Sequence, residues 1–217
     1  MTKSVVIIGK GPSVVKSTKE FVDSFDEVAI CNFPPMEGYE QYIGTRATYH
    51  FTNAHDPNPY SRALLEALGL KQIFNTHPVP HPGYEECFPR SFLSDNEGQY
   101  QYYPNYGAEL IPAFKEEYGF HPSTGTIAFD YFVKKKEFSV IGLVGFDFFK
   151  VGERGYYYPP SEVQQTLKYL YADTKGSPFN RKGVRMNENS HDSKKTEKFV
   201  RDMIEYYRKK LRIPNEK

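Results

Sequence analysis

Apolar positions fall in short blocks separated by polar turns. Residues 4–8 (SVVII) form a compact β-branched block closed by Gly9, which predicts a strand buried on both faces over Ser4–Ile8. Similar blocks predict strands at Glu27–Cys31 (EVAIC), Ala47–Phe51 and Lys71–Phe74. Phe138–Gly145 (FSVIGLVG) is the most apolar block and is expected at the centre of the sheet. Helical spacing predicts a helix over Ser13–Phe25, with Phe21, Val22 and Phe25 inward, and another over Ser61–Leu68, stopped by Gly69. Further helices are expected at Tyr106–Tyr118, Gly125–Lys135 and Ser161–Tyr171, the last preceded by Pro160. A final helix, about His191–Leu211, carries Val200, Met203, Ile204, Tyr207 and Leu211 on one stripe and many Lys and Arg on the other. Strands alternating with helices give an α/β fold: one Rossmann-like, mostly parallel sheet covered on both faces. No internal repeat or second domain is evident, so residues 1–217 read as one domain.

One segment breaks the pattern. Residues 76–106 are rich in Pro, Gly, Tyr and Asn and lack a long apolar period. Such a stretch inside a compact domain reads as an irregular lid or binding loop.

Composition adds further constraints. A net charge of +1 gives no electrostatic case for nucleic acid. Cys31 and Cys87 form no zinc or CxxC spacing and read as free thiols of a reducing cytosol. No cleavable signal or apolar run of membrane length appears, so a cytoplasmic location is expected. The basic face of the last helix reads first as a solvated surface, and second as weak peripheral attraction to an anionic membrane face. The chain has 18 Tyr, 17 Phe and no Trp, with many Tyr in polar stretches such as GQYQYYPNYG. Such rings grip sugars or brace loops, and bracing is the expectation for most of them.

The turn after the first strand, GKGPS at residues 9–13, resembles the start of a nucleotide site. Two familiar versions fail. The dinucleotide fingerprint needs a third glycine where Val14 stands, and an acid near the end of the second strand, where the chain has Cys31-Asn32-Phe33. No GxxxxGK[ST] string exists. NAD and ATP are therefore disfavoured. The turn can still offer its backbone N–H groups, the Ser13 hydroxyl and the Lys10 ammonium to an anion.

The other strand ends sharpen the picture, because ligands of parallel sheets bind beyond the carboxyl ends of the strands. The second strand ends at Asn32, the third at Asn53, and the FSVIGLVG strand at Asp147 and Phe148. Any single Asn reads best as a turn former; the set reads best as one rim. Ser123, Thr124 and Gly125 open a helix and suit either a cap or a phosphate. His191 precedes the last helix, where Asp192 or Ser193 would be the N-cap. Partial positive charge there favours a neutral imidazole able to act as a base.

Taken in order, GxGPS, Asn32, Asn53, the Ser/Thr-Gly helix start, G-x-D-F, a tyrosine-bearing loop and a late His helix start resemble the single-domain bacterial sialyltransferases of lipooligosaccharide synthesis. The resemblance runs from Ile8 to about Phe199. It implies a GT-A-like variant fold, a CMP-sialic acid donor, inversion at the anomeric carbon, and no metal. No D-x-D string is present to hold one. It implies Gly9, Gly11 and Ser13 at the phosphate and ribose, with Lys10 where the family often has Asn. Asn32 and Asn53 would contact CMP, and Ser123, Thr124 and Gly125 would hold the donor. Asp147 and Phe148 would frame the cytidine pocket. One of Tyr156, Tyr157 and Tyr158 would support the leaving phosphate, since Phe149 stands where a tyrosine is expected. His191 would be the general base. The partners implied are a CMP-sugar, sialic acid or another keto-sugar, and a glycan acceptor; relatives suggest homo-oligomers. A different class is a non-catalytic nucleotide- or sugar-binding module on the same fold, motivated by Lys10 and Phe149. An NAD or S-adenosylmethionine enzyme ranks third.

Overall fold

A computed structural model describes residues 3–32, 36–53, 67–76, 101–103, 105–148 and 192–210. Six strands are β1 (Lys3–Ile8), β2 (Glu27–Cys31), β3 (Tyr49–Thr52), β4 (Gln72–Asn75), β5 (Gln101–Tyr103) and β6 (Phe138–Val144). They form one sheet in the order β5-β4-β3-β2-β1-β6, and every pairing is parallel. The helices are α1 (Lys19–Asp23), α2 (Glu40–Ile43), α3 (Tyr106–Tyr118), α4 (Thr124–Lys134) and α5 (Ser193–Lys210). This is the α/β class the sequence predicts.

The alternation of side chains along a strand explains why β1 and β2 read as unbroken apolar runs. Val6, Ile8, Val28 and Ile30 face one side and pack with Val14, Val22, Phe25 and Ile43. Val5, Ile7, Ala29 and Cys31 face the other and pack with Phe114, Ile127, Phe132 and Phe199, on α3, α4 and α5. On that second side an aromatic ladder crosses the sheet. Phe51 stacks on Phe74 at 4.6 Å and Phe74 on Tyr103 at 4.5 Å, following the register of β3, β4 and β5. Tyr103 and Tyr106 thus pack against the core, where the sequence led one to expect tyrosines that brace loops.

Several expectations change. The single helix over Ser13–Phe25 is two pieces: a 3-10 turn at Pro12–Lys16 and α1, because Ser17 is extended and Thr18 caps a new helix by accepting from Phe21 N. Phe21 is accordingly 47% exposed, not inward, while Val22 and Phe25 are buried. β6 lies at one end of the described sheet rather than at its centre, with Ser139 and Val140 exposed. Its apolar content serves local packing: the Phe25 ring lies so close over Gly142 that a Cβ there would stand 2.5 Å from it. Gln101–Tyr103, inside the stretch read as irregular, is an added strand. The short helix α2 was not expected. The Ser61–Leu68 helix lies almost wholly, and the Ser161–Tyr171 helix wholly, outside the described residues, as do Cys87 and Leu211.

α5 meets the sheet through Phe199 and Val200, with Met203, Ile204 and Tyr207 packed alongside. Its basic face is locally paired: Lys198 with Asp202, Arg201 with Glu197, and Lys195 with the Gly119 carbonyl. Among the described residues no helix is long and apolar enough to cross a membrane.

Candidate nucleotide-sugar site

The two ends of the sheet differ chemically. At the amino end the polar groups answer one another. Buried Glu27 pairs with Lys71 at 2.8 Å and with Lys3 at 3.7 Å, Ser4 bonds Asp26, and Arg46 donates to the Phe25 and Asp26 carbonyls. At the carboxyl end, polar groups from β1, β2, β3, β4, β6 and the start of α4 gather.

The first group joins the turns after β1 and β6. Gly9 N–H donates to Val144 O and Gly11 N–H to Gly145 O. Asp147 Oδ2 accepts from Ser13 N at 2.8 Å. The glycines are required by this approach. A Cβ at Gly9 would stand 2.6 Å from Gly145 O, and one at Gly11 would stand 2.1 Å from Asp147 Oδ2. Gly145 itself has φ +70 and faces Val14. The GKGPS turn therefore has a packing reason for its glycines. The Asp147 carboxylate occupies the Ser13 N–H that the sequence offered to an anion.

The second group centres on Asn32, which has φ 60. An Asn tolerates this left-handed conformation better than most residues. Its N–H donates to Phe51 O at 2.6 Å, and its Oδ1 accepts from Asn53 N at 3.0 Å. Thr124 Oγ1 lies 3.5 Å from the same Oδ1, and Thr76 Oγ1 lies 3.2 Å from Thr124 Oγ1. Because a backbone N–H must meet an oxygen, the Asn53 contact fixes the carboxamide orientation. The NH2 end then points away from these donors. His50, fully buried on β3, places Nε2 2.5 Å from Asn32 O. A carbonyl only accepts, so the ring is the Nε2–H donor. Burial drives this imidazole toward its neutral form, down to about 4, against the smaller opposing effect of the Asn32 bond.

The third group is the α4 start. Ser123 is its N-cap, accepting from Thr126 N at 3.2 Å, while Thr124 and Gly125 N–H have no intrahelical acceptor. Gly125 bridges the groups: a Cβ there would meet the Phe146 ring at 3.2 Å and Cys31 Sγ at 3.9 Å. Cys31 is a buried free thiol, and desolvation pushes it up to about 12, which disfavours the reactive thiolate.

The α5 start completes the rim. Asp192 Oδ1 caps it, accepting from Lys195 N at 2.9 Å, and the Ser193 hydroxyl donates to Phe148 O. Phe148, like Asn32, has positive φ, at 54. Of the residues predicted for the site, the structure thus places Gly9, Lys10, Gly11, Ser13, Asn32, Asn53, Ser123, Thr124, Gly125, Asp147 and Phe148 at the carboxyl end of the sheet or the adjoining helix start. Tyr156, Tyr157, Tyr158 and His191 lie outside the described residues, and so does Phe149. Sequence reasoning missed His50, Thr76 and Phe146. Thr76 follows a strand in the way Asn53 does, so its position could have found it. His50 lies within a strand and carries no such signal. Among the described residues no three His, Cys, Asp or Glu side chains group as a metal ligand set.

No protein-family model and no curated protein sequence matches the chain. Solved structures do. The sheet and its two helical layers are those of the sialyltransferase fold. The chain superposes on the sialyltransferase CstII from Campylobacter jejuni, in complex with the substrate analogue CMP-3FNeuAc, with a TM-score of 0.61 and 18% identity, covering 95% of this chain and 79% of that one. A second CST-II structure, in complex with CMP, gives a TM-score of 0.55 at 18% identity, covering 95% and 78%. A mammalian sialyltransferase in complex with Gal-beta-1-3GalNAc-ortho-nitrophenol gives 0.51 at 15% identity, covering 79% and 66%.

Proposed function

We propose that this chain is an inverting, metal-independent glycosyltransferase that moves sialic acid or a related keto-sugar from a CMP-sugar to a glycan hydroxyl. The observation that carries the reading is the Ser193–Phe148 bond, which brings the start of α5 to the rim where Asn32, Asn53 and the α4 start meet. His191 stands two residues before Ser193 in the sequence.

In this reading the donor's negative charge lies against the α4 start, where the Thr124 and Gly125 N–H groups and the helix dipole favour an anion. The Asn32 NH2 and Lys10 add donors. Asp147 is less suited to a phosphate, being a carboxylate, and more suited to accept from a ribose hydroxyl. The bond from the anomeric carbon to the phosphate oxygen breaks with oxocarbenium character, and CMP leaves with the electron pair. The acceptor oxygen attacks the opposite face, and its proton passes to His191. One of Tyr156, Tyr157 and Tyr158 donates to the departing phosphate. Residues 1–217 act as one domain, with the segment between β4 and β5 contributing the lid and acceptor contacts. Titration of CMP and turnover of CMP-sialic acid test this on the wild type and on His191→Ala. The variant is expected to bind CMP as the wild type does and to lose transfer. Unchanged turnover would remove His191 from the mechanism.

A further inference from the structure

We infer that His50 is the positioning residue of the site: its ring Nε2–H, donated to Asn32 O, holds Asn32 in the left-handed turn that aims the Asn32 amide at a ligand. The clause about a ligand rests on the CMP-sugar reading; the positioning of Asn32 does not.

Asn32 is held at successive points by β3 and the residue that follows it, Asn53. Phe51 O takes its N–H, His50 grips its carbonyl, and Asn53 N–H grips its side-chain oxygen. On the side of β3 and Asn53, two of these three use backbone atoms that any sequence would supply. The His50 contact is the one that depends on a side chain of β3. It also acts on the peptide plane that leaves the positive-φ residue, the plane free to turn as Asn32 returns to extended backbone. Without that donor, the Asn32 carbonyl would be left partly buried and short of a partner, and the turn would be free to relax. The bond geometry is short and the ring is completely buried, so its orientation is fixed by packing and not by solvent. Burial also keeps the ring neutral, so one ring nitrogen carries a hydrogen and serves as this donor. The consequence reaches the site directly. The Asn32 carboxamide shares its oxygen with Asn53 N and Thr124 Oγ1, so a relaxed turn would withdraw the NH2 donor and loosen the α4 contact together.

The experiment compares His50→Leu and His50→Met, which lack a donor, with His50→Gln, which retains one. Backbone amide exchange is followed by NMR at Asn32, with Ile30 and Cys31 of the same strand as internal references. Both apolar variants are expected to exchange about tenfold or more faster at Asn32 relative to those references, and H50Q to recover most of the protection. A uniform rise along β2 would make His50 a packing residue only and overturn the inference. Unchanged exchange at Asn32 would also overturn it. CMP titration adds the ligand arm, in a cycle with Asn32→Gly, which accepts the positive φ but lacks the amide. H50L is expected to weaken CMP binding about tenfold in the wild-type background and not at all in N32G. Equal weakening in both backgrounds would overturn the aiming role. A wild type that binds no CMP would sink the CMP-sugar reading and leave the exchange arm to decide on His50.

Discussion

Gly11→Ala tests whether the GKGPS turn is built for packing or for a ligand. Gly11 has φ −67 and ψ 154, a conformation any residue accepts, so backbone strain contributes nothing. The cost is steric. An added Cβ would stand 2.1 Å from Asp147 Oδ2 and 2.6 Å from Gly145 O, whereas an ordinary C···O contact is about 3.3 Å. The carboxylate would have to retreat by about 1 Å, which breaks its 2.8 Å bond to Ser13 N. Overpacking costs about 1–3 kcal/mol and a lost bond to a charged acceptor about 1.5–3 kcal/mol, offset by about 0.5 kcal/mol from the stiffer unfolded chain. The expected loss is about 2–5.5 kcal/mol, read by urea unfolding with an unchanged slope. Because part of the clash is with Asp147, the same substitution in an Asp147→Ala background should cost at least about 1 kcal/mol less. A G11A protein within about 0.5 kcal/mol of wild type, or with the same cost in both backgrounds, would refute the packing account. If such a protein also lost CMP binding, the glycine would be there for the ligand.

His50 makes stability depend on pH. Its folded pKa is depressed from 6.5 to about 4, so its contribution is complete above 6.5 and is lost as pH falls from there to about 4, by about 3 kcal/mol in all. Asp130, raised by burial despite Lys134, works in the opposite sense, its relief growing as pH falls through its folded pKa. The decisive quantity is therefore the difference between wild type and H50Q in urea unfolding from about pH 8 to about pH 4.5, which should shrink or reverse on acidification; parallel curves would show that His50 does not titrate this way. Ser123→Ala should cost about 1 kcal/mol through the lost α4 cap. Ser123→Asp should keep that stability yet weaken CMP binding, by placing a carboxylate beside the α4 N–H groups; tighter CMP binding by S123D would rule out an anion there.

The sheet was legible because a strand buried on both faces needs an unbroken apolar block, and β1, β2, β3 and β4 were found within a residue or two. The order of the strands was not, because apolar content measures burial and not neighbours: β6 looks central by sequence and lies at the end of the described sheet. The strand β5 hid in a Tyr-rich segment because it has no apolar block: Tyr103 stacks flat on Phe74, and Tyr102 packs on the opposite face. At the site, Asn32, Asn53 and the Ser123–Gly125 cap were visible from their places after strands and before a helix. Their bonding was not: that Asp147 would take the Ser13 N–H, or that a histidine inside β3 would brace Asn32, depends on contacts 134 and 18 residues apart along the chain.

The central claim is that the carboxyl end of this sheet is a cytidine monophosphate site that works without metal. Calorimetric titration of the purified protein with CMP, UMP, GMP, AMP and NAD, in the presence of EDTA, tests it most directly. Clear preference for CMP under those conditions is the predicted result. Absence of CMP binding, or binding of NAD in its place, would contradict the account and leave the sialyltransferase-like fold standing without its proposed chemistry.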